Sequence, residues 1–176
     1  NNSIQKEIES KIIANNLTNA KAQTLHSLGY ETIRTVFPRV KVNNNKGWDI
    51  INITNKMFKR DFSKRGINWK DANKIMMSVR EMWEISRIYL TRDVTQILKH
   101  ADMMDKLMKK PTIGYKEDKK TDIVFLTELF NSFVRVADSY YDKQPLEIDF
   151  TDMIYIPVIK NIPIPIECDN VFIDEA

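Results

Sequence analysis

Glycine, cysteine and histidine are all scarce in this sequence of 176 residues. The four glycines stand far apart, so they form no glycine-rich loop that could cradle a phosphate. The single Cys168 excludes an intramolecular disulfide, and His26 and His100 lie too far apart in the chain to complete a recognisable zinc-binding pattern with it. A reducing cytoplasm is therefore the expected compartment.

Long apolar runs are also missing. No stretch approaches the roughly 20 apolar residues that a membrane-spanning helix needs, so we expect no membrane partner. Hydrophobic residues make up 43% and charged residues 29% of the chain, which is typical of a soluble globular protein. The length suits one domain, or a domain core with a substantial insertion.

Charge is distributed unevenly along the chain. Residues 1–100 hold 18 Lys and Arg against 9 Asp and Glu, a balance of +9, whereas residues 101–176 hold 9 against 15, a balance of −6. The basic first part favours an anionic partner. A surplus of lysine on a solvated surface explains the same numbers equally well.

The middle of the chain, residues 48–141, has an almost purely helical pattern. Apolar residues recur with helical spacing in three stripes, over residues 72–86, 94–108 and 126–140, and predict three long amphipathic helices. Asn68 is positioned to cap the first of these helices and Thr121 to cap the third. We expect the apolar side chains of the stripes to form one helical core.

The two ends of the chain contain both strand-like and helix-like patterns. Residues 20–25 are compatible with a short strand, residues 150–155 with a short helix, and residues 171–173 with a strand. We therefore expect an α/β domain, formed by residues 1–47 and 142–176 and interrupted by a mostly α-helical subdomain at residues 48–141.

The last residues, VFIDEA, place Asp174 and Glu175 directly after an apolar strand. Open α/β folds bind ligands at the carboxyl edge of their sheets, where such acids would stand. An Asp there can hold the water shell of Mg²⁺, and a Glu can deprotonate an attacking water. By itself the hexapeptide is a weak signal, because apolar strands that end in Asp-Glu also occur as ordinary solvated strand ends.

Four stretches, taken in order, resemble segments of superfamily 1 DNA helicases of the UvrD/Rep type. NNSIQKEI at the start is similar to the end of their FNKSIA or FTNKAA segment, although Asn2 stands where Lys is usual. TLHSLGY at residues 24–30 resembles their TFHSLG-like motif, and IDFTDMIYIPV at residues 148–158 their DFDDLI-like stretch. CDNVFIDEA at residues 168–176 resembles their YDxVFVDEAQD. The helical middle agrees with the family only in its position and its helical pattern.

This resemblance implies a fragment of a P-loop NTPase (RecA-like) fold that is predominantly helical overall. Residues 1–47 and 142–176 would supply part of the first RecA-like domain, with an incomplete parallel sheet. Residues 48–141 would be its inserted helical subdomain. A phosphate-binding loop is then expected before Asn1 and a second RecA-like domain after Ala176, so the chain by itself should not hydrolyse ATP efficiently.

The resemblance also implies roles for individual residues. Asp174 would coordinate Mg²⁺ through its water shell, and Glu175 would be the catalytic base, with ATP and Mg²⁺ as cofactors. Thr24, His26 and Ser27 match a motif that lines the single-strand path in the family. For His26, a structural role in the turn is an equally good interpretation.

A basic stretch, KMFKRDFSKRGINWK, carries cations interleaved with aromatic residues. Cations neutralise phosphates and aromatic rings stack on bases, so the stretch is a candidate for DNA contact. The cations are Lys56, Lys59, Arg60, Lys64 and Arg65, and the aromatics are Phe58, Phe62 and Trp69. The alternative is an aromatic core beneath a solvated charged face.

The sequence thus predicts part of an ATP-dependent DNA helicase that moves on single-stranded DNA and unwinds duplex junctions. Its setting would be a bacterial cytoplasm, or a host cytoplasm if the gene is viral. The alternative is a helical module that binds nucleic acid or protein and has no ATPase activity.

Overall fold

The computed structural model describes residues 2–108 and 122–167 of the chain. These residues are predominantly helical and include a small parallel sheet. In chain order, the elements are α1 (Asn2–Ala14), α2 (Leu25–Val36), β1 (Lys41–Val42), α3 (Lys46–Lys64), α4 (Trp69–Ile88), α5 (Val94–Met108), α6 (Ile123–Ser139), a short 3-10 helix (Tyr140–Asp142), β2 (Glu147–Ile148) and α7 (Asp152–Ile159).

The chain divides into two compact units. Unit 1 combines the two ends, Asn1–Val40 and Asp152–Ala176, and unit 2 is the continuous middle, Lys41–Thr151. An interrupted arrangement was expected, but the sequence placed the boundaries after Gly47 and Tyr141. The difference arises because both short strands pair with each other inside unit 2.

Unit 1 is built around the packing of α2 on α7, with Ile33 and Ile156 fully buried. Gly29 lets the two helix backbones approach closely, because a Cβ built at this position would lie 1.8 Å from the carbonyl oxygen of Met153. Pro157 stands four residues after Met153 within α7 and has no N–H to donate to that carbonyl. Gly29 and Pro157 therefore both contribute to the close contact.

Unit 2 contains the predicted helical core. Helix α6 packs on α3 and α4, and α4 also packs on α3 and α5. The ring of Phe62 meets that of Phe125 edge-on at 5.7 Å between centroids, and Trp83 packs on Phe133 at 5.5 Å. The buried side chains that the stripes predicted include Met76, Val79, Met82, Ile97, Leu126, Leu129, Phe130 and Ala137. The helical pattern of the middle of the chain is thus confirmed in the described residues.

Helix caps explain where two of these helices begin. The side chain of Asn68 accepts a hydrogen bond from the backbone N–H of Asp71, at 3.0 Å, as the sequence predicted. The prediction of Thr121 as the cap of α6 was wrong, since the carboxylate of Asp122 accepts from the N–H of Phe125 at 2.8 Å. Capping from Asp122 fixes the start of α6 so that Phe125 enters the core.

The chain enters and leaves unit 2 through two short parallel strands. Lys41 is paired with Glu147 and Val42 with Ile148. The backbone N–H of Lys41 donates to Leu146 at 2.8 Å, and that of Asn43 donates to Ile148 at 2.7 Å. The ends of this inserted unit are therefore held side by side.

Two local predictions at the chain ends differ from the structure. Residues 20–24 form no strand, because Thr24 caps α2 and the helix begins at Leu25. The helix expected at residues 150–155 begins two residues later and continues through Pro157 to Ile159. The strand expected at residues 171–173 lies outside the described residues.

Candidate nucleic-acid interface

The TLHSLG stretch forms the amino-terminal end of α2. The hydroxyl of Thr24 accepts a hydrogen bond from the N–H of Ser27 at 3.1 Å, which satisfies one of the free donors of the helix end. Gln23 donates from Nε2 to the hydroxyl of Ser27 at 3.2 Å. Ser27 is nevertheless exposed, at the end of the helix that carries the positive part of the helix dipole. A hydroxyl in this position is suited to contact an anionic oxygen.

His26 is only half-buried beside this cap. Burial disfavours the charged imidazolium and lowers the pKa of His26 below its ordinary value of 6.5. At neutral pH the ring is therefore uncharged. It can take part in hydrogen bonds to a ligand but adds no charge attraction for phosphate.

The acidic pair Asp174 and Glu175 lies outside the described residues, so the structure gives no geometry for these two predicted site residues. Within residues 2–108 and 122–167, no three His, Cys, Asp or Glu side chains come together as a potential metal site.

The basic stretch is mostly the exposed face of α3. Lys56, Lys59, Arg60 and Lys64 are all exposed. Lys64 approaches Asp61 at 3.9 Å, which is a weak surface ion pair. Among the described residues, no carboxylate forms an ion pair with Lys56, Lys59 or Arg60. We call these three residues the basic face of α3.

Arg65 differs from its neighbours because it has protein partners. Its Nη1 lies 3.3 Å from Oδ2 of Asp122, and its guanidinium carbon lies 4.1 Å from the centroid of the Phe125 ring. The backbone N–H of Phe125 and, to a lesser degree, Arg65 lower the pKa of Asp122. Arg65 thus supports the start of α6, and this role competes with the DNA contact that the sequence predicted.

The aromatic residues of the stretch separate into two groups. Phe62 is buried and Phe58 is half-buried, and both rings contact Phe125 in the core. Trp69 is 63% exposed at the first position of α4. Only Trp69, among the three aromatics of this stretch, is placed to stack on a ligand from solvent.

Sequence reasoning missed a buried lysine at the start of α3. Lys46 is 0% exposed, and its Nζ lies 4.2 Å from the Tyr141 ring centroid and 5.6 Å from that of Tyr140. Nζ also donates to the backbone carbonyl of Glu147 at 3.3 Å. Lys46 therefore ties α3 to β2 through cation–π contacts and a hydrogen bond. The stretch NNNKG gives no signal of this burial.

A second buried cation, Arg87, was also missed. Its side chain is 1% exposed, and Nη1 lies 2.7 Å from Oδ1 and 2.9 Å from Oδ2 of Asp149. It also pairs with Glu84, and its guanidinium lies 3.6 Å from the centroid of the Trp83 ring. Glu84 in turn accepts a hydrogen bond from Thr151 at 2.9 Å. The network fixes the segment that leaves unit 2, so we interpret it as structural.

Comparisons with protein-family models, curated proteins and solved structures give no match to this chain. The resemblance to superfamily 1 helicases accordingly stays a prediction from the motifs. Among the described residues, no helix combines the length and the apolar character needed to cross a bilayer.

Proposed function

We propose that this chain is part of an ATP-dependent DNA helicase of superfamily 1, formed by a portion of its first RecA-like domain and the helical insertion of that domain. ATP and Mg²⁺ would be its cofactors, and single-stranded DNA next to a duplex junction its substrate. In this proposal, residues 41–151 are the insertion.

One structural observation carries the proposal. The TLHSLG stretch on α2 and the last three residues of the IDFTDMI stretch, which begin α7, come from opposite ends of the chain, yet α2 and α7 pack together in unit 1. Their contact is close, since Gly29 of the first stretch abuts the carbonyl of Met153 in the second. If two motifs of one motor domain are separated in sequence by an insertion, the segments that carry them must pack together in the folded domain, as α2 and α7 do.

The resemblance to superfamily 1 helicases assigns the roles. Asp174 would hold the water shell of a magnesium ion, and Glu175 would accept a proton from a water that attacks the γ-phosphate of ATP. Ser27 and Thr24, at the start of α2, contact the DNA strand through their hydroxyls. His26, uncharged at neutral pH, contributes hydrogen bonding alone.

The alternative is a helical module that binds nucleic acid without hydrolysing ATP. The cations of the basic face of α3, which form no ion pair with a carboxylate among the described residues, favour it, because such a surface needs no motor domain. The two functions differ in one measurable respect: only the helicase requires Asp174 and Glu175 for nucleotide turnover.

Substitutions in the complete protein test the proposal. We expect Glu175→Gln to keep ATP binding and to lower DNA-stimulated hydrolysis by about 100- to 10,000-fold, because glutamine cannot accept the proton of the water. Asp174→Ala should weaken the binding of Mg²⁺–ATP itself. Glu167→Gln is the matched control, since Glu167 is an exposed acid nearby in sequence. Hydrolysis by the Glu175→Gln protein at the unmodified rate would refute the proposal.

A further inference from the structure

The basic face of α3 carries charge that the described part of the protein does not neutralise. Lys56, Lys59 and Arg60 project from neighbouring turns of one exposed surface. Cations without carboxylate partners retain small ions from solution, and a polyanion that displaces those ions gains free energy from their release. The face is thus complementary in charge to a phosphate backbone.

Exposed apolar side chains lie among these cations. Ile53 and Met57 are 41% and 55% exposed and stand one helical turn apart, with Arg60 in the next turn. A ligand with phosphates alone would gain nothing from these side chains. A ligand with both phosphates and unpaired bases can use the cations and the apolar surface together.

Trp69 follows the end of α3 in the chain by five residues. The chain turns at Gly66, which has a φ of +65°, and Asn68 caps α4 so that Trp69 is its first residue. The cap fixes the backbone of Trp69 while 63% of the residue remains exposed. An exposed indole on a fixed backbone is suited to stack on one base.

We propose that the basic face of α3, with Met57 and Trp69, binds single-stranded nucleic acid: the cations contact phosphates and Trp69 stacks on a base. The choice of DNA as the partner rests on the proposed function, but the binding itself needs no ATP hydrolysis. Arg65 and Phe62 do not take part, because they are engaged with Phe125 in the core.

Two other polyanionic partners fit the surface less well. The bases of a duplex are stacked on each other, so a duplex offers the cations its phosphates but offers Trp69 no free base. An anionic membrane binds helices whose large apolar face points outward. The large apolar face of α3, with Ile50, Ile51 and Phe62, is buried in the core of unit 2.

Fluorescence anisotropy of a labelled 20-nucleotide oligo-dT with the 176-residue chain tests the cations. We expect the triple variant Lys56→Ala/Lys59→Ala/Arg60→Ala to bind roughly tenfold or more weakly at low salt. The logarithm of the association constant should also fall less steeply with the logarithm of the salt concentration, its slope being smaller in magnitude by about 2. The matched control, Lys6→Ala/Arg39→Ala/Lys99→Ala, removes three exposed cations elsewhere and should leave both quantities close to those of the unmodified chain.

Intrinsic fluorescence tests the stacking. In a Trp48→Phe chain, Trp69 is the exposed tryptophan and Trp83 is buried. Oligo-dT should quench the tryptophan fluorescence of this chain, and half of the quenching should occur at the degree of binding that anisotropy reports as half-saturation. The additional change Trp69→Phe should abolish the quenching, and Trp69→Ala should weaken binding by about fivefold or more.

Three outcomes would overturn the inference: equal binding by the two triple variants, no quenching of Trp69 at saturating oligo-dT, or preferential binding to a duplex of the same length or to vesicles rich in phosphatidylserine. These outcomes are separate from failure of the proposed function. A chain that binds oligo-dT as predicted, but whose complete protein hydrolyses no ATP, would support this interface and refute the helicase.

Discussion

Replacing Gly29 by alanine puts a methyl group where the backbone of α7 lies. The new Cβ would be 1.8 Å from the carbonyl oxygen of Met153, whereas the Cβ atoms of folded proteins essentially never come within 3.0 Å of a non-bonded heavy atom. The two helices must therefore separate by roughly 1 Å, and neither backbone can relieve the overlap by a rotamer change. Overpacking of this kind costs about 1–3 kcal/mol, with rigid sites at the upper end. Because alanine favours a helix by about 1 kcal/mol over glycine, we expect a net destabilisation of about 2 kcal/mol.

Gly47→Ala is the matched control within another helix. A Cβ at Gly47 would lie 2.8 Å from Nε of Arg80, the end of a flexible side chain that can move away. This variant should be neutral or more stable by up to about 1 kcal/mol.

Native-state hydrogen exchange at the buried amide of Ile33 in α2 measures the effect locally. The free energy of opening at Ile33 should fall by about 2 kcal/mol in Gly29→Ala and stay unchanged in Gly47→Ala. Equal protection of Ile33 in Gly29→Ala and the unmodified chain would show that α2 and α7 do not pack as described.

Three further predictions concern stability. Arg87→Met should destabilise unit 2 by about 3–5 kcal/mol, as measured by urea unfolding followed by tryptophan fluorescence, because Asp149 keeps a largely buried charge without its guanidinium; a loss below about 1 kcal/mol would contradict this. Thr24→Ala should lower stability by about 1 kcal/mol in thermal unfolding, while Thr24→Ser keeps the cap and should be nearly neutral. A hydrogen bond from Asn43 lowers the pKa of Glu147 below its ordinary value of 4.5. The ionised Glu147 therefore contributes fully to the free energy of unfolding above pH 4.5, and this contribution is lost as the pH falls through the lowered pKa. In acid unfolding, Glu147→Gln should accordingly lose stability less steeply with falling pH than the unmodified chain does.

The helical core was predictable because the buried residues of an amphipathic helix recur along the sequence at a regular spacing. Met76 and Val79 in α4, like Phe130 and Phe133 in α6, recur at helical spacing, and this spacing alone places each pair on one face of its own helix. The cap at Asn68 was predictable for a similar reason, since a cap depends on residues three positions apart. The strands were not, because two residues are too few to establish a period.

The buried cations were unpredictable for a different reason. Lys46 and Arg87 are stabilised by contacts with Glu147 and Asp149, residues distant in sequence, and no local pattern distinguishes them from solvated cations. In the basic stretch, spacing alone likewise could not separate Arg65, which pairs with Asp122, from the exposed cations of α3. Gly29 left a faint signal, as a glycine inside a helical pattern, which is often retained for close packing.

Strand separation by the complete protein tests the helicase proposal most directly. A forked DNA substrate with a single-stranded tail would be incubated with the protein and Mg²⁺, either with ATP or with a non-hydrolysable analogue. We predict separation of the strands with ATP alone, and its loss in the Glu175→Gln protein although that protein still binds ATP. Absence of both strand separation and DNA-stimulated ATP hydrolysis in the unmodified complete protein would contradict the proposal, and oligo-dT binding by the basic face of α3 would then favour the binding module.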